Sequence, residues 1–215
     1  TVDWDVGAAA VKTQSGSMGA IDIEARTARR IVTTGCGQGT MFGSLMEQID
    51  SVKLPSAATA RIRQSTLHTL NDAMRKIDSV HRRAGSVHGC ALCRGTEVLI
   101  FVEDVGRHNA ADAISGRMWL DRIGGEDKIF YTTGRLTSEI VMKAAHMGIP
   151  VLLSRSGITH MGLELARGLG IVMIARAKGR HFLVYHGADD ILFDELPAAE
   201  AAPHETRAAR MAGEA

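Results

Sequence analysis

The sequence predicts an α/β protein, a three-layer α/β/α sandwich built around a mixed sheet. In the second half of the chain, β-prone apolar runs alternate with segments whose apolar residues recur at helical spacing. Helices are predicted at 107–121, 137–147 and 159–168, each followed by a strand, at 128–132, 149–153 and 171–175. Because strands that alternate with helices of this length form βαβ units, we expect neighbouring parallel strands with helices on their faces.

Further strands and a long helix complete the prediction. Strands 87–93 and 97–102 flank an Arg-Gly-Thr turn, and strand 182–185 follows strand 171–175 across Lys178-Gly179-Arg180. A helix is predicted within 56–82, with Ser56 as its N-cap.

The predicted organisation is one α/β domain with two flanking segments. The α/β domain spans 31–195. It follows residues 1–30, interpreted as a truncated small subdomain, and precedes residues 196–215, an Ala-, Glu- and Arg-rich tail without an apolar face. The segment Gly35-Cys36-Gly37-Gln38-Gly39-Thr40 is predicted as a flexible loop.

Composition limits the classes of function. The 215 residues carry a net charge of +1 and only 4% aromatic residues, which argues against nucleic acid or a membrane surface as partner. No apolar run approaches the roughly 20 residues of a membrane span, and the start, Thr1, shows no signal peptide and indicates a trimmed fragment. Three cysteines are an odd, low number for a disulfide framework, so we expect a cytoplasmic protein.

The segment Val102-Glu103-Asp104-Val105-Gly106-Arg107-His108-Asn109-Ala110 places many polar groups directly after a predicted buried strand. Such groups at a strand end commonly form the sites of α/β proteins, although the segment also suits a helix cap with an internal ion pair. Other strand ends carry polar residues too, and Glu139 and Lys143 have the spacing of a helical surface pair. We expect one pocket at this edge, lined by Asp104, Arg107, His108, Arg135, Ser138 and Ser154.

The three cysteines are predicted to differ in role. Cys36 lies between glycines, where an accessible thiol can carry sulfane sulfur as a persulfide, although an incidental loop cysteine fits as well. Cys90 and Cys93 lie three apart on a predicted strand and therefore point to opposite faces, which favours packing over a shared metal or a disulfide. Zinc deaminases need a His-x-Glu motif and a later Pro-Cys-x-x-Cys motif. Here His88 is followed by Gly89 and Cys90, and no proline precedes Cys90. A zinc deaminase is therefore excluded, and no metal site is predicted.

A basic turn near the C-terminus is a candidate phosphate site. Cations and a glycine suit phosphate oxygens, but charged residues on a turn are usually explained by a solvated hairpin. The turn consists of Arg176, Ala177, Lys178, Gly179, Arg180 and His181.

Four segments, in order, resemble the formate dehydrogenase accessory sulfurtransferase family, FdhD. They are Gly35-Cys36-Gly37, Val102 to Ala110, Thr133-Gly134-Arg135-Leu136-Thr137-Ser138-Glu139 with Lys143 and Gly148-Ile149-Pro150, and Leu163-Glu164-Leu165-Ala166 with Gly170. His88 with Gly85 resembles part of a further family block. The resemblance runs from about residue 31 to about residue 185 and implies the cytidine-deaminase-like version of the α/β/α architecture.

The resemblance also implies a function in the maturation of formate dehydrogenase. Cys36 would accept sulfur from a cysteine desulfurase and pass it to the molybdenum bis(molybdopterin guanine dinucleotide) cofactor, carried as cargo. The turn 176–181, with Arg107, Arg135, His88 and Ser138, would hold that cargo, for which a guanine nucleotide can substitute. The implied partners are the desulfurase, the catalytic subunit of formate dehydrogenase and a second copy of the chain.

The sequence departs from the family pattern in the cysteine loop. The family loop reads Cys-Gly-x-Cys-Gly, whereas Gly39 occupies the second cysteine position here. A single cysteine can carry a persulfide but cannot resolve it alone. A sulfurtransferase and a cofactor chaperone without sulfur relay therefore both remain open, and an unrelated nucleotide-binding enzyme on the same fold is the third interpretation.

Overall fold

A six-stranded mixed sheet forms the centre of the molecule. The structure is a computed structural model that describes residues 62–195 continuously and, outside them, 2–3, 5–6, 8–9, 30–33, 39–42 and 54. The strands are β1 (Val2–Asp3), β2 (Ala8–Ala9), β3 (Arg30–Thr33), β4 (Gly39–Phe42), β5 (Ile62–Arg63), β6 (His88–Arg94), β7 (Glu97–Asp104), β8 (Ile129–Thr132), β9 (Val151–Ser154), β10 (Val172–Lys178), β11 (His181–His186) and β12 (Ile191–Leu192).

The helices are α1 (Gln64–Lys76), α2 (Val80–Ala84), α3 (Arg107–Asp121), α4 (Ser138–His146) and α5 (His160–Leu169), with a 3-10 turn at Ala188–Asp190. The strand order is β11-β10-β9-β8-β6-β7. Strands β8, β9 and β10 are parallel, whereas β6 runs antiparallel to both β7 and β8, and β11 runs antiparallel to β10. The predicted α/β class and mixed sheet are confirmed.

Two hydrophobic layers hold the sheet between its helices. On one face, Phe130 and Leu152 pack with residues of α3, α4 and α5. On the other face, Tyr131 and Leu153 pack with residues of α1, β5 and β12. Because both faces are covered, every residue of β8 and β9 is buried, as expected for parallel strands at the centre of a sheet. Helices on both faces of the sheet give the three-layer architecture. The cytidine-deaminase-like assignment stays a prediction.

The helix boundaries follow local chemistry. Helix α3 begins after Gly106, whose N–H donates to Asp104 Oδ1 at 2.7 Å. Helix α5 is capped by Thr159, whose Oγ1 accepts from Gly162 N at 3.2 Å, and it ends at Gly170 in the left-handed region with φ 69°. The predicted helix 107–121 matches α3 at both ends.

The predicted helix within 56–82 is only partly right. Residues Ile62–Arg63 form a strand, because they pair in parallel with Ile191–Leu192. The remainder divides into α1 and α2, since Ile77 leaves the helical conformation and Ser79 Oγ accepts from Arg82 N to begin a new helix. Residue Ser56 lies outside the described residues.

Other differences concern the ends of the chain. Strand β3 pairs antiparallel with β4, so Gly39 and Thr40 lie in a strand rather than in the predicted loop. The tail at 196–215 lies outside the described residues, and the predicted domain limits stay predictions. In the part of the chain that the structure describes, no helix combines the length and apolar character needed to cross a membrane.

Candidate functional site

The carboxyl ends of four strands meet at one edge of the sheet. Strands β7, β8, β9 and β10 run in the same direction, because β7 and β8 are both antiparallel to β6. Helices α3, α4 and α5 begin just beyond β7, β8 and β9, so their N-termini lie at this edge. The partial positive charge of a helix N-terminus favours anions there. The strand ends therefore lie at one edge. The single pocket predicted from the residues at these ends stays a prediction.

Two loops at this edge are joined by hydrogen bonds. The hydroxyl of Ser154 donates to the carbonyl oxygen of Gly134 at 2.6 Å and accepts from Ser156 N at 2.9 Å. Further along, Leu136 N donates to Gly157 O at 3.0 Å. Ser154 is fully buried beneath both loops. Its position indicates that it fixes the loops that follow β8 and β9, rather than presenting a hydroxyl to a ligand.

Arg107 and His88 face each other across Gly134. A Cβ atom on Gly134 would lie 2.8 Å from Arg107 Cδ and 3.4 Å from His88 Nδ1, so a side chain at this position would displace the arginine. Nδ1 of His88 and Nε of Arg107 are both buried without a hydrogen-bond partner among the described residues. Buried polar atoms without a partner are the kind of group that a polar ligand satisfies.

Two histidines at this edge, His88 and His108, have lowered pKa values. Burial lowers the pKa of His88, and the guanidinium of Arg107 lowers it further. Burial also lowers the pKa of His108, with Arg107 acting in the same direction and Glu139 opposing. His108 Nε2 lies 2.9 Å from Glu139 Oε2, which ties α3 to α4. A second tie joins Lys143 to Asp112.

The other predicted residues on α4 differ in exposure. Ser138 is the first residue of α4 and is buried, and Arg135 in the preceding loop is exposed. Arg135 therefore presents its charge at the edge, whereas Ser138 contributes mainly the backbone of the helix N-terminus.

The basic turn joins β10 to β11 at the far end of the same edge. Arg176, Lys178 and His181 are exposed, whereas Ala177 is buried in the core. Ala177 can therefore contact a ligand only through its backbone. Arg176 has φ 55°, and its Nη2 would lie 3.3 Å from a Cβ on Gly157. Three strand spacings, roughly 14 Å, separate β10 from β6. The edge is therefore long, with cations at both ends.

The cations of the turn are not equivalent. Arg180 pairs with Glu195, which also contacts Nδ1 of the buried His68 on α1. Gly179 O accepts from Asn71 Nδ2 at 3.4 Å, which fixes the turn against the same helix. Arg180 is thus engaged within the protein, while Arg176 and Lys178 form no ion pair with the described residues.

Cys36 lies outside the described residues, so the structure gives it no geometry. The nearest described residues on either side, Thr33 and Gly39, are paired partners in β3 and β4. The assignment of Cys36 as the sulfur acceptor therefore stays a prediction. Among the described residues, no group of three or more His, Cys, Asp or Glu side chains is arranged to hold a metal ion.

Cys90 and Cys93 point to opposite faces of β6, as predicted. Cys90 packs in the layer with α3, and Cys93 packs in the layer with α1. Both are fully buried and free, and burial raises the pKa of Cys90 to about 11 and that of Cys93 to about 12. The Cys90 thiol donates to Thr132 Oγ1 at 3.3 Å. Both thiols are therefore protonated and shielded near neutral pH.

Replacing Cys90 and Cys93 by alanine should lower the free energy of unfolding by about 1–3 kcal/mol, because each change removes a buried group without repacking. Denaturant unfolding measures this change. As a control, iodoacetamide at mildly alkaline pH should modify neither thiol in the native protein and both in denaturant. Rapid modification of either cysteine in the native protein would contradict the packing role.

Sequence reasoning missed the cations on the other face of the same edge. Arg155 follows β9, between the two serines that the sequence analysis noted, so the strand-end rule could have identified it. Arg75 and Arg82 come from α1 and α2, and no periodic signal in the sequence indicates that these helices meet the edge. With Arg155 they line a cavity of about 400 Å³.

Together the fold and the site define a three-layer α/β protein with a cationic edge formed by strand ends and helix N-termini. Comparison with known proteins gives the particular family. The model of the FdhD/NarQ family matches residues 1–192. The chain therefore belongs to the FdhD/NarQ family, which confirms the family predicted from its sequence blocks.

Individual relatives agree with this assignment. The chain is 30% identical over 191 residues to the sulfur carrier protein FdhD of Geobacillus kaustophilus, covering 86% of this chain and 68% of the relative. It is 33% identical over 159 residues to the same protein of Bacillus pumilus, covering 73% of this chain but only 59% of the relative. A crystal structure from Desulfotalea psychrophila, described as a formate dehydrogenase accessory protein, matches with a TM-score of 0.61 and 27% identity over 78% of this chain and 73% of that chain.

Proposed function

We propose that this protein is a sulfur carrier that matures a formate dehydrogenase. It binds the molybdenum bis(molybdopterin guanine dinucleotide) cofactor as cargo and supplies it with sulfur through a persulfide on Cys36. Family membership supports the sulfur-carrier role, since relatives of this chain are named sulfur carrier proteins. The convergence of strand ends, helix N-termini and cations at one edge is the structural observation that carries the cargo-binding part of the proposal.

Sulfur loading requires one nucleophilic substitution. The Cys36 thiolate attacks the outer sulfur of a persulfide on the cysteine desulfurase, the sulfur–sulfur bond of the donor breaks, and the donor leaves as a thiolate. The product is a Cys36 persulfide. The proton lost from Cys36 balances the proton that the donor thiolate regains. Sulfur changes carrier without net oxidation or reduction, so no further reagent is needed for this step.

Sulfur release needs a second thiol. Attack of a thiolate on the Cys36 sulfur expels hydrosulfide and leaves a disulfide at Cys36. Because Gly39 stands where relatives carry a second loop cysteine, that thiolate comes from outside the loop, as a small thiol or a thiol of the partner. Gly39 is also the observation that favours the second candidate function, a chaperone that binds the cofactor and delivers it without relaying sulfur.

The cargo is held electrostatically along the edge. Arg107 and His88 lie at one end, and Arg176 and Lys178 lie at the other, so an extended ligand with several phosphates is complementary to the spacing. The neutral His88 offers Nδ1 for a hydrogen bond. A guanine nucleotide presents the same pyrophosphate and is the practical substitute for the cofactor.

Copurification tests the cargo proposal. When the chain is produced in a host that makes the bis-guanine-dinucleotide cofactor, the purified protein should yield an oxidised, fluorescent pterin. The same protein from a host unable to synthesise molybdopterin is the control and should yield none. Absence of pterin from both preparations would contradict cofactor binding for the sulfurtransferase and the chaperone alike.

A further inference from the structure

The segment after β11 returns to α1 and brings Glu195 to the basic turn. Ile191–Leu192 pair in parallel with Ile62–Arg63. Asp194 then caps α1, because its carboxylate accepts from Ser65 N at 3.0 Å and from Ser65 Oγ at 2.7 Å. Two separate attachments, a strand pairing and a helix cap, therefore fix the position of the next residue, Glu195.

One oxygen of Glu195 joins α1 to the turn. Its Oε2 contacts Nδ1 of His68 and lies 2.5 Å from Nη2 of Arg180. His68 is almost fully buried on α1, where the centroid of its ring lies 5.6 Å from that of Phe182 on β11. Nε2 of His68 has no hydrogen-bond partner among the described residues, so the contact with Glu195 is the one that anchors the ring. The buried histidine thus holds the carboxylate in place beside Arg180.

Arg180 differs from two other cations of the turn in having this partner. Arg176 and Lys178 form no ion pair with the described residues. Asn71 Nδ2 donates to Gly179 O at 3.4 Å, which keeps the residue before Arg180 against α1. The carboxylate of Glu195 offsets the charge of the Arg180 guanidinium. The turn consequently offers a ligand the free charges of one arginine and one lysine, and not those of two arginines and a lysine.

The number of free cations matters because pyrophosphates differ in charge. A pyrophosphate that is esterified at both ends, as in a dinucleotide, carries one negative charge on each phosphate. A free nucleoside diphosphate ends in a phosphate that loses a second proton with a pKa of about 6, so it carries a further charge at neutral pH. Coulomb attraction grows with the product of the charges. Two cations therefore match the diester, whereas a third would favour the free nucleotide.

We infer that Glu195 sets the specificity of the basic turn: by neutralising Arg180, it matches the turn to a pyrophosphate esterified at both ends and disfavours free nucleotides. The inference rests on the proposed function, since it takes the turn as the part of the edge that receives the pyrophosphate of the cargo. Glu195 acts through Arg180, so it is a positioning residue, and His68 supports it from α1.

Calorimetric titration with guanosine diphosphate and with guanosine diphosphate mannose measures this specificity, because the sugar esterifies the terminal phosphate. Glu195→Gln keeps the shape of the side chain and removes its charge. It should tighten guanosine diphosphate binding about threefold, the size of an exposed ion-pair effect, and tighten guanosine diphosphate mannose binding less. The same change should alter neither affinity in a chain that already carries Arg180→Gln.

The matched control is Glu164→Gln. It removes a carboxylate that lies 2.9 Å from Arg167 on α5, so it changes the net charge equally and also frees an arginine. It should leave the ratio of the two affinities unchanged. A shift of this ratio as large as that caused by Glu195→Gln would overturn the inference.

Chemical modification tests the Arg180 contact without a ligand. Phenylglyoxal reacts with guanidinium groups, and mass spectrometry locates the modified residues. In the native chain Arg180 should react more slowly than Arg176, because a carboxylate engages it. In the Glu195→Gln chain the two rates should become similar. Equal rates in the native chain would mean that Glu195 does not withhold Arg180, and the inference would fail.

The remaining outcomes separate this inference from the proposed function. A gain from Glu195→Gln that persists beside Arg180→Gln would overturn the inference, because the effect would then come from net charge alone. An unchanged ratio of affinities, or binding of neither nucleotide, would overturn it as well. Copurified pterin decides the proposed function separately, since cofactor bound by the native chain supports that function whatever the ratio of affinities.

Discussion

Replacing Cys36 by serine is expected to abolish sulfur loading of the protein and, with it, activation of formate dehydrogenase. A serine hydroxyl cannot form a persulfide, and the remaining cysteines cannot replace the thiol. Cys90 and Cys93 are fully buried with strongly raised pKa values, so neither presents a thiolate to a desulfurase. The effect is therefore an all-or-none loss rather than a graded one, and formate-dependent dye reduction by the matured enzyme measures it.

The same variant separates the two candidate functions. Cys36→Ser should retain the bound pterin, because the cations of the edge are unchanged. Cys90→Ala with Cys93→Ala is the matched control, which removes two cysteines and keeps the loop thiol. If the Cys36→Ser protein still activates formate dehydrogenase fully, the chain acts as a chaperone and the sulfur relay is wrong.

Changing Arg176 and Lys178 together to alanine should weaken guanine-nucleotide binding by at least about tenfold. Charge-assisted contacts to phosphate contribute roughly 1.5–3 kcal/mol each when sheltered from water, and 1.4 kcal/mol corresponds to a factor of ten. Both side chains are exposed and form no ion pair with the described residues, so they are available to a ligand without breaking an internal contact. Calorimetric titration of native and variant protein measures the difference.

A control of equal charge makes this result specific. Arg117→Ala with Arg167→Ala also removes two cations, but these arginines pair with Asp121 and Glu164 near the C-terminal ends of α3 and α5, whereas the helix N-termini lie at the edge that carries the turn. That variant should bind the nucleotide as the native chain does. Because the turn is exposed, its effect should shrink at high salt. If both double variants weaken nucleotide binding equally, the turn acts only through the net charge of the protein and is not a specific binding site.

The part of the fold that could be predicted was the part governed by local signals. Helix α3 was predicted at both ends because a segment of capping residues precedes it and strands lie on each side. The opposed directions of Cys90 and Cys93 followed from strand geometry alone, and the structure places them in different layers. The gathering of polar residues at one edge followed from the direction of parallel strands.

The parts that were missed depend on contacts between distant segments. Ile62–Arg63 reads as helix by periodicity, but its pairing with Ile191–Leu192, far along the chain, makes it a strand. Glu195 is likewise distant from its partners His68 and Arg180.

The cationic pocket was missed for the same reason. Arg75 and Arg82 lie on helices whose placement against the sheet has no signature in their own residues, so only the assembled structure brings them to Arg155. Ser154, in contrast, was recognised as an edge residue, but its buried hydroxyl is occupied by the two loops.

Mapping sulfane sulfur on the purified chain tests whether Cys36 is the sulfur acceptor. The protein is incubated with a cysteine desulfurase and isotopically labelled cysteine, and intact persulfides are located by mass spectrometry of peptides. We expect one additional sulfur atom on the peptide that contains Cys36 and none on the peptide that contains Cys90 and Cys93. Sulfur on either buried cysteine with Cys36 bare, or no sulfur on any cysteine, would contradict it.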